Sequence, residues 1–214
     1  MNSKNLEIDT TTCWYDLDEC PQYMILGAQG KLWPVLEKSS HFPMLKALLE
    51  QIPEECITLI DVGCGAAELS RLVNGLFYVG ADLENIIENV ARKMHPHSNY
   101  VSFDIYGGPE ECKFIEDYDV VVMNAFIDVL QYPITGLRNI LTNAQNYVIL
   151  HRQEFDSTGV TRIERNPSYG SGMTYQSIIN QKEFDGVLQE LDFKVIKEVC
   201  VFKTAKSILL LKEK

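Results

Sequence analysis

The sequence predicts an α/β protein with a doubly wound, Rossmann-like sheet of seven strands, mostly parallel, that closes in a C-terminal antiparallel hairpin. From residue 57 onward, short apolar runs alternate with helical patterns five times, which is typical of a parallel sheet with helices on both faces. The last two apolar runs are only about four residues apart. Because so short a connection cannot make a parallel crossover, these two strands are expected to pair antiparallel.

The predicted elements follow one another in a regular order. The strands are residues 57–62, 76–81, 99–103, 118–123, 147–150, 193–202 and 207–211, and the helices are residues 42–51, 66–74, 83–94, 133–143 and 181–191. Pro43 suits the first turn of a helix, and Gly75 suits a helix end. Asn180, with Glu183 three residues on, forms a variant of the capping box. The polar stretch 152–178 is longer than most loops, which indicates a functional loop or a partly helical segment.

Two regions are expected: an N-terminal helical extension or lid, residues 1–52, and a main domain, residues 53–214. The extension shows little periodicity but is rich in aromatic residues, namely Trp14, Tyr15, Tyr23 and Trp33. Aromatic residues are more often packing residues, yet such a segment can also cover a cleft and exclude water. The stretch 152–178, with its three glycines, is a second candidate lid.

Composition narrows the classes of partner. With 46% apolar and 23% charged residues the chain is typical of a globular protein. Its net charge of −11 disfavours nucleic acid and anionic membrane surfaces, both of which are bound through Lys and Arg. An apolar run of the roughly 18 residues that span a bilayer is missing, as is a signal peptide, so a cytoplasmic location is expected. The six cysteines show no metal-ligand spacing, so no metal site is predicted.

The segment that indicates chemistry is the end of the first strand and the turn that follows it. In open parallel sheets, ligands bind outside the carboxyl ends of the strands, where the strand order reverses. Gly63 and Gly65 lack the Cβ atoms that would keep a ligand away from the backbone. The helix expected over residues 66–74 would add unpaired N–H groups. These features fit any nucleotide-like ligand.

Further residues restrict that ligand. The phosphate-binding sequence that ends in Gly-Lys-Ser/Thr is missing, and Glu68 stands where a dinucleotide fingerprint has its third glycine. Asp61 suits a cationic ligand. Asp82, twenty-one residues later, suits two ribose hydroxyls, and Asp104, after the third strand, suits a purine amine. The pattern indicates an adenosine without phosphates that carries a positive centre.

Each carboxylate also has a structural interpretation. Asp61 can bond the N–H groups of its own turn, Asp82 can cap the next helix, and Asp104 can cap a turn.

The sequence resembles the class I S-adenosylmethionine-dependent methyltransferases over about residues 57–212. The matching segments are Asp61-Val62-Gly63-Cys64-Gly65, Asp82-Leu83, Asp104-Ile105 and the closing hairpin. The third glycine of the usual motif is here Ala67. The resemblance implies S-adenosylmethionine as cofactor, with the methionine part along Gly63, Cys64 and Gly65, the ribose at Asp82, and the adenine beside Leu83, Asp104 and Ile105.

A looser resemblance covers about residues 14–200. The segments 147–152 and 180–184 resemble a poorly characterised family of methyltransferases associated with bacterial surface-polysaccharide loci. This resemblance implies a small-molecule or sugar-like acceptor.

Methyl transfer is an in-line displacement, so the protein mainly aligns the acceptor and excludes water. A base is needed only where the acceptor must lose a proton early. Asn124 and His151 follow the fourth and fifth predicted strands and are the candidate catalytic residues. His151 can serve as a base near neutral pH, or it can simply bond a neighbouring backbone group. Arg152 can bind an anionic acceptor, or it can pair with a surface acid.

Two other classes of function stay open at this level. One is a nicotinamide-dependent oxidoreductase of similar fold, which Glu68 and the closing hairpin disfavour. The other is a non-catalytic binding protein that retains the fold, because a fold does not fix a function. The sequence leaves the acceptor and the oligomeric state undetermined.

Overall fold

The computed structural model describes residues 6–15 and 19–213 of the chain. The described residues form nine strands: β1 (Thr58–Val62), β2 (Phe77–Asp82), β3 (Asn99–Ser102), β4 (Val120–Asn124), β5 (Tyr147–Asp156), β6 (Arg162–Pro167), β7 (Met173–Asn180), β8 (Phe193–Phe202) and β9 (Ala205–Lys212). The helices are α1 (Cys20–Ala28), α2 (Phe42–Leu49), α3 (Glu84–Ile86 continued by a π-helical turn, Ile87–Ala91, and Arg92–Met94), α4 (Pro133–Asn143) and α5 (Gln181–Glu190).

The predicted fold class is confirmed. Strands β3, β2, β1, β4 and β5 lie side by side in that order and pair in parallel. Strand β9 pairs antiparallel with β5, and β8 pairs antiparallel with β9 at the far edge, as the short connection predicted. The strand order reverses between β1 and β4, which is where ligands of such sheets bind.

The sheet carries two more strands than predicted, and both come from the polar stretch 152–178. Strand β5 extends to Asp156, while β6 and β7 form an antiparallel hairpin whose second strand runs beside the end of β5, with Phe155 opposite Ile179. Most side chains of β6 are exposed. Because neither face of β6 is consistently apolar, it lacks the alternation that identifies a half-buried strand.

The helix predicted over residues 66–74 is wrong. Only a short 3-10 turn, Glu68–Arg71, is present there. Ala67, just before it, has a left-handed backbone with φ +54°, and its N–H bonds to the Cys64 carbonyl oxygen at 2.7 Å. A left-handed residue does not continue into a right-handed helix. The glycine turn therefore leads into a compact loop and not into the N-terminus of a long helix.

Apolar layers cover both faces of the sheet, as a buried parallel sheet requires. On one face, Ile60 and Val62 of β1 pack with Leu137 and Ile140 of α4. On the other face, Leu59 lies in a second cluster with residues of α2. Helix α2 thus belongs to one of the layers that cover the sheet, and the division at residue 52 stays a prediction. None of the helices in the described residues is long and apolar enough to cross a bilayer.

Candidate functional site

A cleft opens at the carboxyl ends of β1, β2, β3 and β4, at the reversal of strand order. It encloses about 1180 Å³ of empty space, counting the open space at its mouth. The cleft is lined by Asn124 and by every residue predicted to bind a cofactor, namely Asp61, Gly63, Cys64, Gly65, Asp82, Leu83, Asp104 and Ile105. The fold therefore brings together residues that are up to 63 positions apart in the sequence, from Asp61 to Asn124.

The glycine loop requires its glycines for two reasons. Gly63 and Gly65 have left-handed backbones, with φ +71° and +51°. A Cβ atom at Gly63 would lie 2.1 Å from the ring of Phe126, and one at Gly65 would lie 2.9 Å from the terminal methyl of Met24. At Gly63 conformation and close packing both exclude a side chain, and at Gly65 the left-handed backbone disfavours one, which keeps the backbone of the loop open to the cleft.

Asp82 ties the end of β2 to this loop. Its Oδ2 accepts a hydrogen bond from the N–H of Gly65 at 2.9 Å, and its Oδ1 accepts one from the N–H of Leu83 at 2.8 Å. Burial raises the pKa of Asp82 to about 6, although the two N–H donors act in the opposite direction. Each carboxylate oxygen retains a further lone pair that can accept from a hydroxyl. Helix α3 has no side-chain cap, so the structural interpretation of Asp82 as a helix cap is wrong.

Asp61 is a buried carboxyl with one unused acceptor atom. Its Oδ2 accepts from the hydroxyl of Tyr78 at 2.9 Å, whereas its Oδ1 has no hydrogen-bond partner among the described residues. Burial raises the pKa of Asp61 to about 7. Buried polar atoms are normally hydrogen-bonded, so an orphaned carboxylate oxygen in a cleft indicates a missing donor or cation.

Asp104 has the turn-capping role that the sequence left open. Its Oδ1 accepts from the N–H of Tyr106 at 2.9 Å and caps a short 3-10 turn, Ile105–Gly107. The side chain of Tyr15 lies beside the same carboxylate, and burial followed by the charge of Asp104 raises the pKa of that phenol. Phe103 and Ile105 are buried on either side and supply an apolar wall. Capping and ligand contact are compatible roles for one carboxylate.

His151 lies behind the cleft and not on its surface. It is 1% exposed, and its two ring nitrogens already have partners. Nδ1 lies 2.6 Å from the hydroxyl oxygen of Ser207, and Nε2 lies 3.0 Å from Nδ1 of His41. The sequence placed His151 beside the methyl group because it follows the fifth strand, but β5 continues past it and its side chain points into the protein core.

The cleft is lined by Arg152, at the position where the sequence predicted His151. The pairing of β5 with β9 shifts register between Leu150 and Gln153, and Arg152 within this bulge has a left-handed φ of +65°. Bulges re-aim side chains, and strained non-glycine residues concentrate at functional sites. The Nη1 atom of Arg152 lies 3.2 Å from Nε2 of His41, and its buried Nε has no partner among the described residues.

Two further orphaned oxygens lie after β4. The Oδ1 atoms of Asn124 and Asp128 are buried and lack hydrogen-bond partners in the described residues. Burial raises the pKa of Asp128 to about 6, while the charge of Arg152 acts to lower it. The sequence interpretation missed Asp128, whose only signal was an acidic residue shortly after a strand end. Together with Nε of Arg152, these atoms offer two acceptors and one donor that the protein itself does not use.

Residues of both candidate lids line the cleft, and the two segments contact each other. Residues 6–15 run across it and are fixed to the β6–β7 hairpin, because the N–H of Cys13 donates to the carbonyl of Met173 at 2.8 Å. The hydroxyl of Tyr175 donates to Oδ2 of Asp9 at 2.9 Å. Asn85 of α3 holds the same segment through the carbonyl of Trp14 at 2.7 Å. The segment and the hairpin thus form one cover over the strand ends.

In residues 6–15 and 19–213, no three His, Cys, Asp or Glu side chains are grouped so that they could hold a metal ion.

Known proteins match the chain by structure and not by sequence. No family model and no curated protein matches it. Among solved structures, magnesium protoporphyrin IX methyltransferase (ChlM) from Synechocystis PCC 6803 with bound SAM is 13% identical, with a TM-score of 0.64 over 98% of this chain and 100% of that chain. SAM-bound CalS10, an amino pentose methyltransferase from Micromonospora echinaspora, is 12% identical, with a TM-score of 0.59 over 98% and 99%.

A third similar structure is the N-terminal domain of EvdMO1 in the presence of SAH and D-fucose, with 11% identity and a TM-score of 0.59 over 84% of this chain and 85% of that chain. Identities this low show the fold alone. The chain has the class I fold of the S-adenosylmethionine-dependent methyltransferases.

Proposed function

We propose that this protein is a methyltransferase that takes its methyl group from S-adenosylmethionine (SAM) and transfers it to a small-molecule or sugar-like acceptor. The observation that carries the proposal is the pair of carboxylates at the glycine loop. Asp82 is bonded to the loop at Gly65, and Asp61 presents an orphaned buried oxygen in the same cleft. Such a site suits a ligand with ribose hydroxyls and positive charge, and it disfavours a pyrophosphate.

The residues of the cleft divide among the parts of this cofactor. Asp82 would accept from the ribose hydroxyls, and Asp61 would receive the cationic methionine end along the open backbone of Gly63, Cys64 and Gly65. The apolar walls at Leu83 and Ile105 would hold the adenine, with Asp104 at its edge. Bound there, the cofactor supplies an activated methyl group on a positively charged sulfur. The carboxylates are suited to such a ligand because each lines the cleft and retains an unused lone pair.

The acceptor side is proposed at the ends of β4 and β5. Asn124 and Arg152 line the cleft there and would orient the acceptor for in-line attack. Neither Asp128 nor His151 lines the cleft. Of the two, Asp128 is the stronger candidate for taking a proton, because His151 uses both nitrogens within the protein, whereas Asp128 has an orphaned oxygen. His151 is then a positioning residue, which holds His41 and, through His41, the side chain of Arg152.

Two observations support a small-molecule or sugar-like acceptor, namely the similar structures and the net charge. The similar structures include an amino pentose methyltransferase and a domain studied with D-fucose, and the first of these spans nearly the whole of both chains. The net charge of −11 disfavours a nucleic-acid acceptor. A small, hydroxyl-bearing acceptor agrees with both observations. The oxidoreductase alternative is disfavoured because Glu68, which accepts from the N–H of Leu36 at 2.8 Å, lines the cleft, and a carboxylate there would repel a pyrophosphate.

The proposal is tested by calorimetry on the full chain with SAM and with its demethylated product, S-adenosylhomocysteine (SAH). Saturable binding of both is expected, and Asp82→Ala should weaken it by at least about tenfold, since a pair of hydrogen bonds to a carboxylate is lost. The matched control is Glu110→Ala, which removes an exposed carboxylate outside the cleft. No heat of binding with either compound, or binding of a reduced nicotinamide instead, would overturn the proposal. Native mass spectrometry of freshly purified protein gives an independent readout of a co-purified adenosine thioether.

A further inference from the structure

A second cavity adjoins the cleft and shares two wall residues with it. Arg152 and Tyr169 line both spaces, so they form the partition between them. The second cavity lies between the segment that follows α1 and the loop before β7, and it encloses about 1140 Å³ including its open mouth. An acceptor that enters through this cavity would reach the strand ends, where the orphaned atoms of Asn124 and Arg152 lie.

The charges around this cavity favour an anion. Among the described residues, Arg152 is the only one that lines this cavity with a formal charge, in a chain whose net charge is −11. His41, which also lines the cavity, is neutral at physiological pH because burial lowers its pKa to about 4. In the part of the chain that the structure describes, two carboxyls lie close by without lining it. Glu19 accepts from the N–H and hydroxyl of Ser171, and Asp128 is near enough to Arg152 for the charge of Arg152 to act to lower the pKa of Asp128.

The guanidinium of Arg152 is held in place but incompletely used. Arginine only donates, so Nε2 of His41 must accept from Nη1 of Arg152. The proton of neutral His41 is then on Nδ1 and is donated to Nε2 of His151, whose own proton on Nδ1 is donated to Ser207. This chain of hydrogen bonds fixes the direction of one Nη, and the buried Nε is a further donor without a partner among the described residues.

The remaining walls offer aromatic surface and hydroxyls. Trp33 is 42% exposed and meets Tyr169 edge-on, with ring centroids 6.1 Å apart. Ser39, Ser40 and Ser168 also line the cavity. Aromatic rings beside hydroxyl groups suit a small ring compound with one apolar face and several hydroxyls.

We propose that this second cavity binds the acceptor, and that the acceptor is a small hydroxylated ring compound with one anionic group, a carboxylate or a phosphate, held by Arg152. The inference rests on the proposed methyltransferase function and deepens it by assigning the acceptor site and its charge. Bidentate or charge-assisted hydrogen bonds from the fixed guanidinium would favour an anionic acceptor over a neutral one.

The test measures binding of three matched probes, namely glucose, glucuronate and glucose 6-phosphate, to the full chain saturated with SAH. At least one charged probe should bind about tenfold or more tightly than glucose, as expected for a hydrogen-bonded ion pair. Whichever of the two binds more tightly identifies the anionic group. Arg152→Gln should remove the preference, and Arg152→Lys should retain part of it. Arg138→Gln, at a half-buried arginine that pairs with Glu190 and lines neither cavity, is the matched control and should bind as the wild type does.

The outcomes separate this inference from the proposed function. If the wild type does not bind SAH, the proposed function fails. If SAH binds but charged and neutral probes bind equally or not at all, the assignment of the anionic acceptor is overturned and the methyltransferase proposal stands. Unchanged selectivity in Arg152→Gln would likewise overturn it. Thermal unfolding of each variant identifies any that fails to fold, and Arg152→Lys then supplies the comparison.

Discussion

The Nδ1 atom of His41 lies 3.0 Å from the Nε2 atom of His151, and each histidine is bonded at its other nitrogen as well. This contact joins the N-terminal region to β5 over 110 residues of sequence. Because Arg152 can only donate to His41, the whole chain from Arg152 to Ser207 has a single arrangement of protons when both rings are neutral. Protonating either ring would place two donors face to face.

The first prediction concerns the pH dependence of stability. Burial lowers the pKa of His41 from 6.5 to about 4, and burial with the charges of His41 and Arg152 lowers that of His151 to about 3. Between these values and 6.5 the unfolded chain binds more protons, so this contribution to stability is present above about pH 6.5 and is lost as the pH falls through the folded pKa values. His41→Gln should therefore lose less stability than the wild type between about pH 7 and pH 4.5, measured by urea unfolding.

Comparison of variants is needed because four carboxyls of the described residues act with the opposite sign. Asp61, Glu68, Asp82 and Asp128 have raised pKa values, so they favour the folded state increasingly as the pH falls. Their contributions are common to the wild type and to His41→Gln and cancel in the difference. The exposed residue His97 provides a control, since His97→Gln should follow the wild-type curve. Identical slopes for all three proteins would contradict the prediction.

Much of the fold could be predicted because its strands are buried on both faces. Strands β1 and β4 are short apolar runs, and helix α4 begins and ends at the predicted residues. The β6–β7 hairpin could not be predicted, because its exposed first strand has no apolar face. The helix expected after the glycine loop failed for a local reason. Apolar spacing over residues 66–74 fits a helix, but Ala67 takes a left-handed backbone that spacing does not reveal.

The second prediction tests the glycine loop. Gly63→Ala and Gly159→Ala both place a side chain at a left-handed position, with φ +71° and +76°, which costs about 1–2 kcal/mol in each case. Only at Gly63 would the new Cβ meet a neighbour, the ring of Phe126, while at Gly159 nothing lies within 4 Å. Gly63→Ala should thus be destabilised by a further 1–3 kcal/mol or so. It should also lose SAH binding, whereas Gly159→Ala should bind SAH normally in calorimetry.

The candidate site could be predicted where it follows strand ends and not where it depends on bulges. Asp82 and Asn124 end their strands and Asp61 is the last residue but one of β1, so the three residues are expected at one edge of the sheet from topology alone. His151 and Arg152 were misplaced relative to each other because the register shift in β5 exchanges the directions of their side chains. Such a shift depends on pairing with β9, which is distant in sequence. No local sequence pattern around residue 151 predicts this register shift.

The third prediction concerns Asp61. Burial raises its pKa to about 7, so it becomes charged over the range from about pH 6 to pH 8. A cationic ligand prefers the charged form, and the affinity for SAM should rise across this range in the wild type. Asp61→Asn should bind more weakly, by about tenfold, and without this rise. Tyr78→Phe should move the rise to higher pH, because the hydroxyl of Tyr78 stabilises the carboxylate. A flat wild-type profile would exclude Asp61 from contact with the positive charge.

The fourth prediction addresses the cover over the cleft. Asp9 fixes residues 6–15 to the β6–β7 hairpin: it accepts from Tyr175 at 2.9 Å and lies 3.4 Å from Arg165, and it also bonds the N–H and hydroxyl of Thr11. Asp156 makes a matched set of bonds, to Thr158 and Arg162, but it does not line the cleft.

Removing these two carboxylates separates the role of the cover from the general loss of a surface ion pair. Asp9→Ala frees the cover, so the dissociation rate of SAH in stopped-flow measurements should rise severalfold, and the amide of Cys13 should exchange faster with deuterium. Asp156→Ala should change neither quantity. Exposed pairs of this kind contribute roughly 1 kcal/mol or less to stability, so neither variant should unfold. Equal dissociation rates for Asp9→Ala and Asp156→Ala would show that SAH leaves without displacement of residues 6–15.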